Sequence, residues 1–381
     1  MRDVAIIGVG QTKFGKFPDV DADFLALDSV KSAVSDAGIG YKDIQAAYTA
    51  RLLNSECPTQ SILKRVGITG IEMVNVENAC AGGATAVRSL WKDIAYGVHD
   101  IGIAIGVESF SRSSEVGKLQ GGSEEDFDSQ LGLSMPALYA MIAKRMMIEQ
   151  GATPEDIARV SVKNRYHGSF NPNAQYGKQT TIEEVLGSRM ICDPITMFQC
   201  CPNSDGAAAV ILCSAEVARR YTTNPIFIKG SSLLSADYLF RQASLGDSPV
   251  TRAAANTAYE MSGVSPKDVD VVELHDAFAV EELFLYESLG LCPKGGSIEM
   301  LRNGDTTLGG RVPVNPSGGL LSLGHPLSAS GVRVIGDIAL QLRGDQKGNQ
   351  VDGAKVGLAH MIGGAVSGLE AAACSVHILT K

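Results

Sequence analysis

Apolar runs too short for helices alternate with amphipathic stretches along the first hundred residues, and this rhythm restricts the fold more than any other feature. Val4 to Gly8, Ala46 to Ala50, Ile71 to Val76 and Ile101 to Ser109 read as buried strands. Ala22 to Gly38 and about Ala81 to Gly97 read as helices, each closed by a glycine. Continuous apolar strands separated by helices predict an α/β fold whose sheet is covered on both faces. The second half of the chain resumes the pattern. Ile226–Gly230 and Asp268–Phe278 begin with strands, Val250 to Gly263 and Gly331 to Leu342 are helical, and Lys355–His360 and Leu369–Leu379 look like a closing strand pair. At 381 residues the chain suggests two domains, or one large fold with an internal repeat.

Between these halves, residues 110–200 break the rhythm. A polar stretch from Ser111 to Asp128, with the acidic run 124–126, leads into a Met-rich helix (Met135 to Gln150). A further helix and a loop over 153–179 follow. This reads as an insertion covering a substrate site, with the methionines as adaptable packing. Tyr139, Met135, Phe198 and Phe240 are candidates to line a pocket there, although each of these types is commonly core.

Composition excludes several classes of function. A net charge of −9 argues against nucleic acid. No apolar run is long enough for a membrane span, and the N-terminus lacks the pattern of a signal peptide, so no leader is expected. Eight cysteines form neither a disulfide framework nor a CxxC pair, which points to the cytoplasm. Gly8-Val9-Gly10 is not extended to a dinucleotide fingerprint, because residue 13 is lysine.

Four positions carry chemistry. Cys80 stands where the Ile71–Val76 strand passes into a helix through Ala81-Gly82-Gly83. The free N–H groups and partial positive charge of a helix start favour a thiolate at such a place. His275 (in Glu273-Leu274-His275-Asp276-Ala277-Phe278), His325 (in Gly324-His325-Pro326) and His360 (before Met361-Ile362-Gly363-Gly364) fall at strand ends or glycine-rich loops. Cysteine with histidine is the pair that makes and uses a thiolate nucleophile. The histidine spacings fit no local zinc motif, so no metal is expected.

With Asn78-Ala79-Cys80-Ala81-Gly82-Gly83, His275-Asp276-Ala277-Phe278, Gly324-His325-Pro326 and the Gly363-Gly364 loop in view, the chain resembles the thiolases over essentially its whole length. Within them it is similar to the branch of sterol-carrier-protein-2-type (SCP2-type) and archaeal-type enzymes. The resemblance implies a five-layered αβαβα fold of two similar halves, 1–221 and 222–381, with 110–200 as the loop domain. It implies an acyl-CoA C-acyltransferase that cleaves a 3-oxoacyl-CoA with coenzyme A, or condenses two acyl-CoAs. In that scheme Cys80 carries the acyl group as a thioester and His325 takes its proton. His275 and His325 bind the thioester oxygen, and the N–H groups of Cys80 and of Gly363 or Gly364 form a second oxyanion site. Gly363, Gly364, Ser317 and Gly318 are expected to face the coenzyme A, which is a substrate; no tightly bound cofactor is expected.

The chain departs from the family at one step. Thiolases of the degradative and biosynthetic kinds carry a second cysteine in a Cys-x-Gly loop to exchange a proton at the α-carbon. Here the loop is His360-Met361-Ile362-Gly363-Gly364, and Ala277 stands where some relatives have a cysteine after the His-Asp pair. His360, His275 or a group lent by a partner are the candidates. The resemblance also implies a homodimer or larger assembly and a small OB-fold, zinc-ribbon partner of the DUF35 type. The alternatives are a thiolase-like C-acyltransferase or lyase working with such a partner on an aromatic or branched CoA thioester, and a non-catalytic scaffold subunit. Aldolase members of this branch have dispensed with the cysteine, so Cys80 counts against lyase chemistry.

Overall fold

The structure is a computed structural model that describes residues 1–53, 56–113, 127–237, 245–365 and 371–381. The acidic run 124–126, most of the polar stretch before it, and Phe240 lie outside the described residues.

In the first half, β1 (Val4–Gln11), α1 (Ala22–Ala37), β2 (Ala46–Ala50), α2 (Pro58–Leu63), β3 (Glu72–Val76), α3 (Gly82–Tyr96) and β4 (Ile101–Ser109) follow the expected rhythm. The insertion supplies α4 (Phe127–Gln130), α5 (Met135–Gln150), α6 (Pro154–Gly168), α7 (Ile182–Leu186) and the short pair β5 (Met190–Cys192) and β6 (Ile195–Thr196). Then β7 (Asp205–Ser214) returns to the sheet and α8 (Ala215–Ala218) caps it. The second half runs through β8 (Ile226–Leu234), α9 (Pro249–Ser262), β9 (Val271–Glu273), α10 (Ala279–Ser288), α11 (Ser297–Arg302), α12 (Gly319–Leu323), α13 (Leu327–Arg343), β10 (Val356–Ala365) and β11 (Ala371–Thr380).

Among the described residues the strands join in the order β3-β2-β4-β7-β1-β8-β11-β10-β9. The order contains a repeat. Outward from β1, the partners are β7 (antiparallel), β4 (antiparallel), β2 (parallel) and β3 (parallel). Outward from β8 they are β11 (antiparallel), β10 (antiparallel), β9 (parallel) and a parallel bridge from Val272 to Val314. Within the sheet, the described residues of the two halves are joined by the short β1–β8 pairing at Ala5–Ile6.

Period-two alternation sorts the side chains into layers. Ile103, Ile105, Val107, Ala207, Ala209 and Ile211 pack against α1, while Ala104, Ala208, Val210 and Leu212 face α3 and α13. In the second half Leu358, Ile362, Val376 and Ile378 face α9 and α10, while Ala359, Met361 and Ala373 face α13. Helix, sheet, central helix pair, sheet and helix therefore make five layers, as expected. The central pair crosses very closely: a Cβ on Gly83 of α3 would lie 2.1 Å from Ser328 O of α13. No helix among the described residues is long and apolar enough to cross a membrane.

The structure moves two boundaries. Helix α13 begins at Leu327, directly after Gly-His-Pro, rather than at Gly331. Strand β10 continues through Ala365, so His360, Gly363 and Gly364 belong to a strand and not to a loop. Glycines in a buried strand weaken the strand signal in the sequence; here they make room for a neighbouring backbone.

Candidate active site

Cys80 occupies a single turn of 3-10 helix, Ala79–Ala81, that leads directly into α3. Ala79 before it has φ +47°, in the left-handed region that a side chain disfavours. From the other half, Gly363 of β10 lies against this turn. A Cβ there would meet Ala81 N at 2.4 Å and both Asn78 O and Cys80 N at 2.7 Å. The absence of a side chain at 363 is therefore what lets the strand seat the turn. The next residue, Gly364, adopts φ +71° beside Ala79. These contacts leave Cys80 half-buried at the start of α3.

Both histidines reach it from the second half. His275 follows β9, and its Nδ1 is hydrogen-bonded to Glu281 Oε1 at 2.7 Å, in the first turn of α10. The other Glu281 oxygen accepts the Ala277 N–H at 2.9 Å, so one carboxylate fixes both the ring and the turn that carries it. His325 precedes α13. Its backbone N–H donates to Pro202 O (3.1 Å), and its Nδ1 lies 2.9 Å from Ser330 Oγ on the first turn of α13. The two imidazoles meet edge to face with centroids 5.2 Å apart. Cys80 Sγ and one ring nitrogen of each histidine all lie within 4.8 Å of one another. Both Nε2 atoms are buried and, among the described residues, have no hydrogen-bond partner.

The two rings are electrostatically unlike. Burial opposes a charge on His275, but the Glu281 carboxylate and the Cys80 sulfur outweigh it and raise the imidazole to about 10. Burial, with the His275 and Arg333 charges added, keeps His325 well below its usual value and hence neutral. Adjacent groups thus present one imidazolium and one neutral base, the division of labour that a proton-transfer site needs. The first turns of α3 and α13 touch here, so two helix N-termini direct their positive ends at the same space.

The structure brings together Cys80, His275 and His325, and sets Gly363 and Gly364 against them. It does not add His360. That side chain shares the outer face of β10 with Leu358 and Ile362, and its Nε2 lies 3.3 Å from Thr251 Oγ1 of α9. Burial lowers it to about 3, so it stays neutral. Ser317 and Gly318 are also elsewhere. The Ser317 hydroxyl is buried between Glu273 Oε2 and Arg333 Nη1, each at 2.7 Å, and Gly318 packs on Gly168. Both are thus engaged in internal contacts.

Of the suggested pocket residues, Tyr139 stacks on Phe278 with centroids 4.3 Å apart, and Phe198 lies under the Arg165 guanidinium. Met135 packs partly buried on the core beneath α5. Leu52, Leu53, Phe110 and Leu327 form a separate apolar cluster that touches Cys80 itself. Two supports escaped the sequence reading, Glu281 and Ser330. An acidic pair, Glu281-Glu282, opening an otherwise apolar helix was the available signal for the first; nothing distinguished Ser330.

Comparison with known proteins agrees with this arrangement. Residues 4–216 match the family model for the thiolase N-terminal domain, and residues 232–379 match that for a thiolase C-terminal domain-like unit. The chain is 39% identical over 388 aligned positions to an acetyl-CoA acetyltransferase of Methanothermobacter thermautotrophicus, covering 100% of each. It is 40% identical to the benzoylsuccinyl-CoA thiolase subunit BbsB of Thauera aromatica, covering 95% of each. A solved Ltp2-ChsH2(DUF35) aldolase superposes with a TM-score of 0.86 at 27% identity, over 99% of this chain and 97% of that one. The chain belongs to the thiolase family.

Proposed function

We propose that this acyltransferase works through a thioester on Cys80, cleaving a 3-oxoacyl-CoA with coenzyme A or condensing two acyl-CoAs. One observation supports this above all: a half-buried cysteine sulfur within 4.8 Å of two buried histidine nitrogens, one ring cationic and one neutral. His325 Nε2, with Nδ1–H given to Ser330, offers a lone pair that accepts the Cys80 proton. The Cys80 thiolate then attacks the 3-oxo carbon. Attack puts negative charge first on the 3-oxo oxygen; as the C2–C3 bond breaks the charge passes to the thioester oxygen, where the His275 imidazolium and the Nε2–H of His325 meet it. The Cys80 N–H and the Gly363–Gly364 strand make up the second oxyanion site. Each such donor contributes about 3 kcal/mol to the transition state. Coenzyme A then takes the acyl group from Cys80. No metal takes part in this scheme, although Cys80, His275 and His325 are close enough together to hold one.

The acyl group is proposed to enter beside Leu52, Phe110 and Leu327, which touch Cys80. A simple acetyl chain and a branched or aromatic one both fit the proposal, as the relatives span acetyl-CoA and benzoylsuccinyl-CoA. A homodimer and a small DUF35-type partner are also proposed, the latter supported by the likeness to the Ltp2-ChsH2(DUF35) aldolase. Side chains exposed on the insertion, Met141, Met190 and Met197, offer that partner an adaptable apolar surface.

Incubation with acetyl-CoA should add one acetyl group at Cys80, read by peptide mass spectrometry, and Cys80→Ala should abolish it. An adduct of undiminished stoichiometry on Cys80→Ala would sink the assignment. Rates across a panel of 3-oxoacyl-CoA esters, with and without a co-purifying partner, identify the chain accepted.

A further inference from the structure

Carbon–carbon bond chemistry at a thioester needs a second proton carrier, one that serves the α-carbon. His275 and His325 are committed to the sulfur and the carbonyl oxygen, and His360 faces away. The two places where a sulfur was expected hold Met361, which is fully buried toward the central layer, and Ala277.

A third flank of the site does carry a thiol. Residues 200–203 run between the two histidine-bearing turns and are tied to both. Cys200 bridges Phe278, and the Cys201 N–H donates to Ala277 O at 2.8 Å. Asn203 bridges His325, whose own N–H donates to Pro202 O. The Cys200 backbone is extended (φ −115°, ψ 141°), and its sulfur is engaged by Thr196 O at 3.5 Å. Successive side chains of an extended segment point to opposite sides. Cys201 therefore points the opposite way from Cys200, interacts electrostatically with Cys80, Glu281 and Tyr139, and is half-buried, as Cys80 is. The unpartnered, buried Nε2 atoms of His275 and His325 open the same space to a ligand.

We propose that Cys201 is the second acid/base of the site, exchanging the proton at the substrate α-carbon across from the acyl group on Cys80. This rests on the thioester reading above. In thiolysis, attack of the Cys80 thiolate breaks the bond between C2 and C3. The electron pair passes to C2, and the Cys201 thiol gives C2 its proton. The Cys201 thiolate then takes the proton of the coenzyme A thiol, whose sulfur attacks the Cys80 thioester and releases both acyl-CoA and the Cys80 thiolate. In condensation the same proton moves the other way. Burial, and then the charges of Cys200, Asp276, Cys80 and Glu281, push the Cys201 thiol well above its usual range. It is accordingly held protonated when the carbanion forms and is a strong base in reverse.

The test compares the parent protein with Cys201→Ala and Cys201→Ser, using acetyl-CoA in D2O and acetoacetyl-CoA with coenzyme A. Both variants should still accumulate the endpoint acetyl adduct on Cys80, because a thiolate can leave into water without an enzymic acid whereas a carbanion cannot. Deuterium uptake at the acetyl methyl group and acetoacetyl-CoA thiolysis should each fall about a hundredfold or more, the usual share of a general acid/base. Either variant retaining both rates within about threefold of the parent would overturn the assignment, being far smaller than that share. So would a parent that acetylates Cys80 yet exchanges no methyl proton. A parent that never acylates Cys80 defeats the thioester reading instead, and the adduct measurement separates the two failures.

Discussion

At the scale of single residues the site is governed by which carboxylate stands behind which ring. Glu281 makes His275 a cation that persists to about pH 10, whereas His325 has only a hydroxyl behind it and stays neutral. The sign of the pH effect follows. Folding raises His275 above its ordinary 6.5, so the stabilisation from its charge is complete below that value and is lost as pH rises toward about 10. Glu281→Gln removes the carboxylate and should lower the His275 value, bringing the alkaline loss of activity to lower pH. A rate profile, paired with NMR titration of the imidazole, reads this directly. An alkaline limb that stays in place in Glu281→Gln would show that His275 does not need its charge.

At the scale of elements, the nucleophile's turn is held by a strand from the opposite half. Gly363→Ala would drive a methyl group into the backbone of residues 78–81. Overpacking of this kind costs about 1–3 kcal/mol of stability. The larger effect should be on chemistry, since a shift of the turn by about 1 Å is enough for a hundredfold loss. Burst acylation of Cys80, measured beside thermal unfolding, should fall far more than stability does. Much of this level was legible in the sequence, because helices and continuous apolar strands announce themselves by period; the Cys80 strand–turn–helix and the start of α9 are examples. The Gly363–Gly364 strand was not legible as a strand, since glycine carries no pattern. The outward direction of His360 depended on that missing register. Ser317 was also unreadable, because its partners, Glu273 and Arg333, come from distant parts of the chain.

At the scale of the whole molecule, the central layer is fastened by charge as well as by packing. Arg333, fully buried on α13, holds Glu273 of β9 at 3.1 Å and Asp337 at 2.8 Å. Arg333→Met should destabilise the protein by about 3–5 kcal/mol, because two carboxylates lose their buried counter-charge. Denaturant unfolding measures it, and a loss below about 1 kcal/mol, the scale of an exposed pair, would mean that the group is solvated in solution. The repeated strand order has a consequence of its own. Cys80 precedes α3 and His325 precedes α13, the equivalent helices of the two repeats, so one architectural address has been filled twice with different chemistry. Neither repeat possesses a complete reaction centre, and two copies of the same repeat would hold only its thiols or only its imidazoles, never both. Catalytic rate is therefore a gauge of how firmly the repeats are seated on each other. It should decline under mild denaturant before either sheet loses its secondary structure.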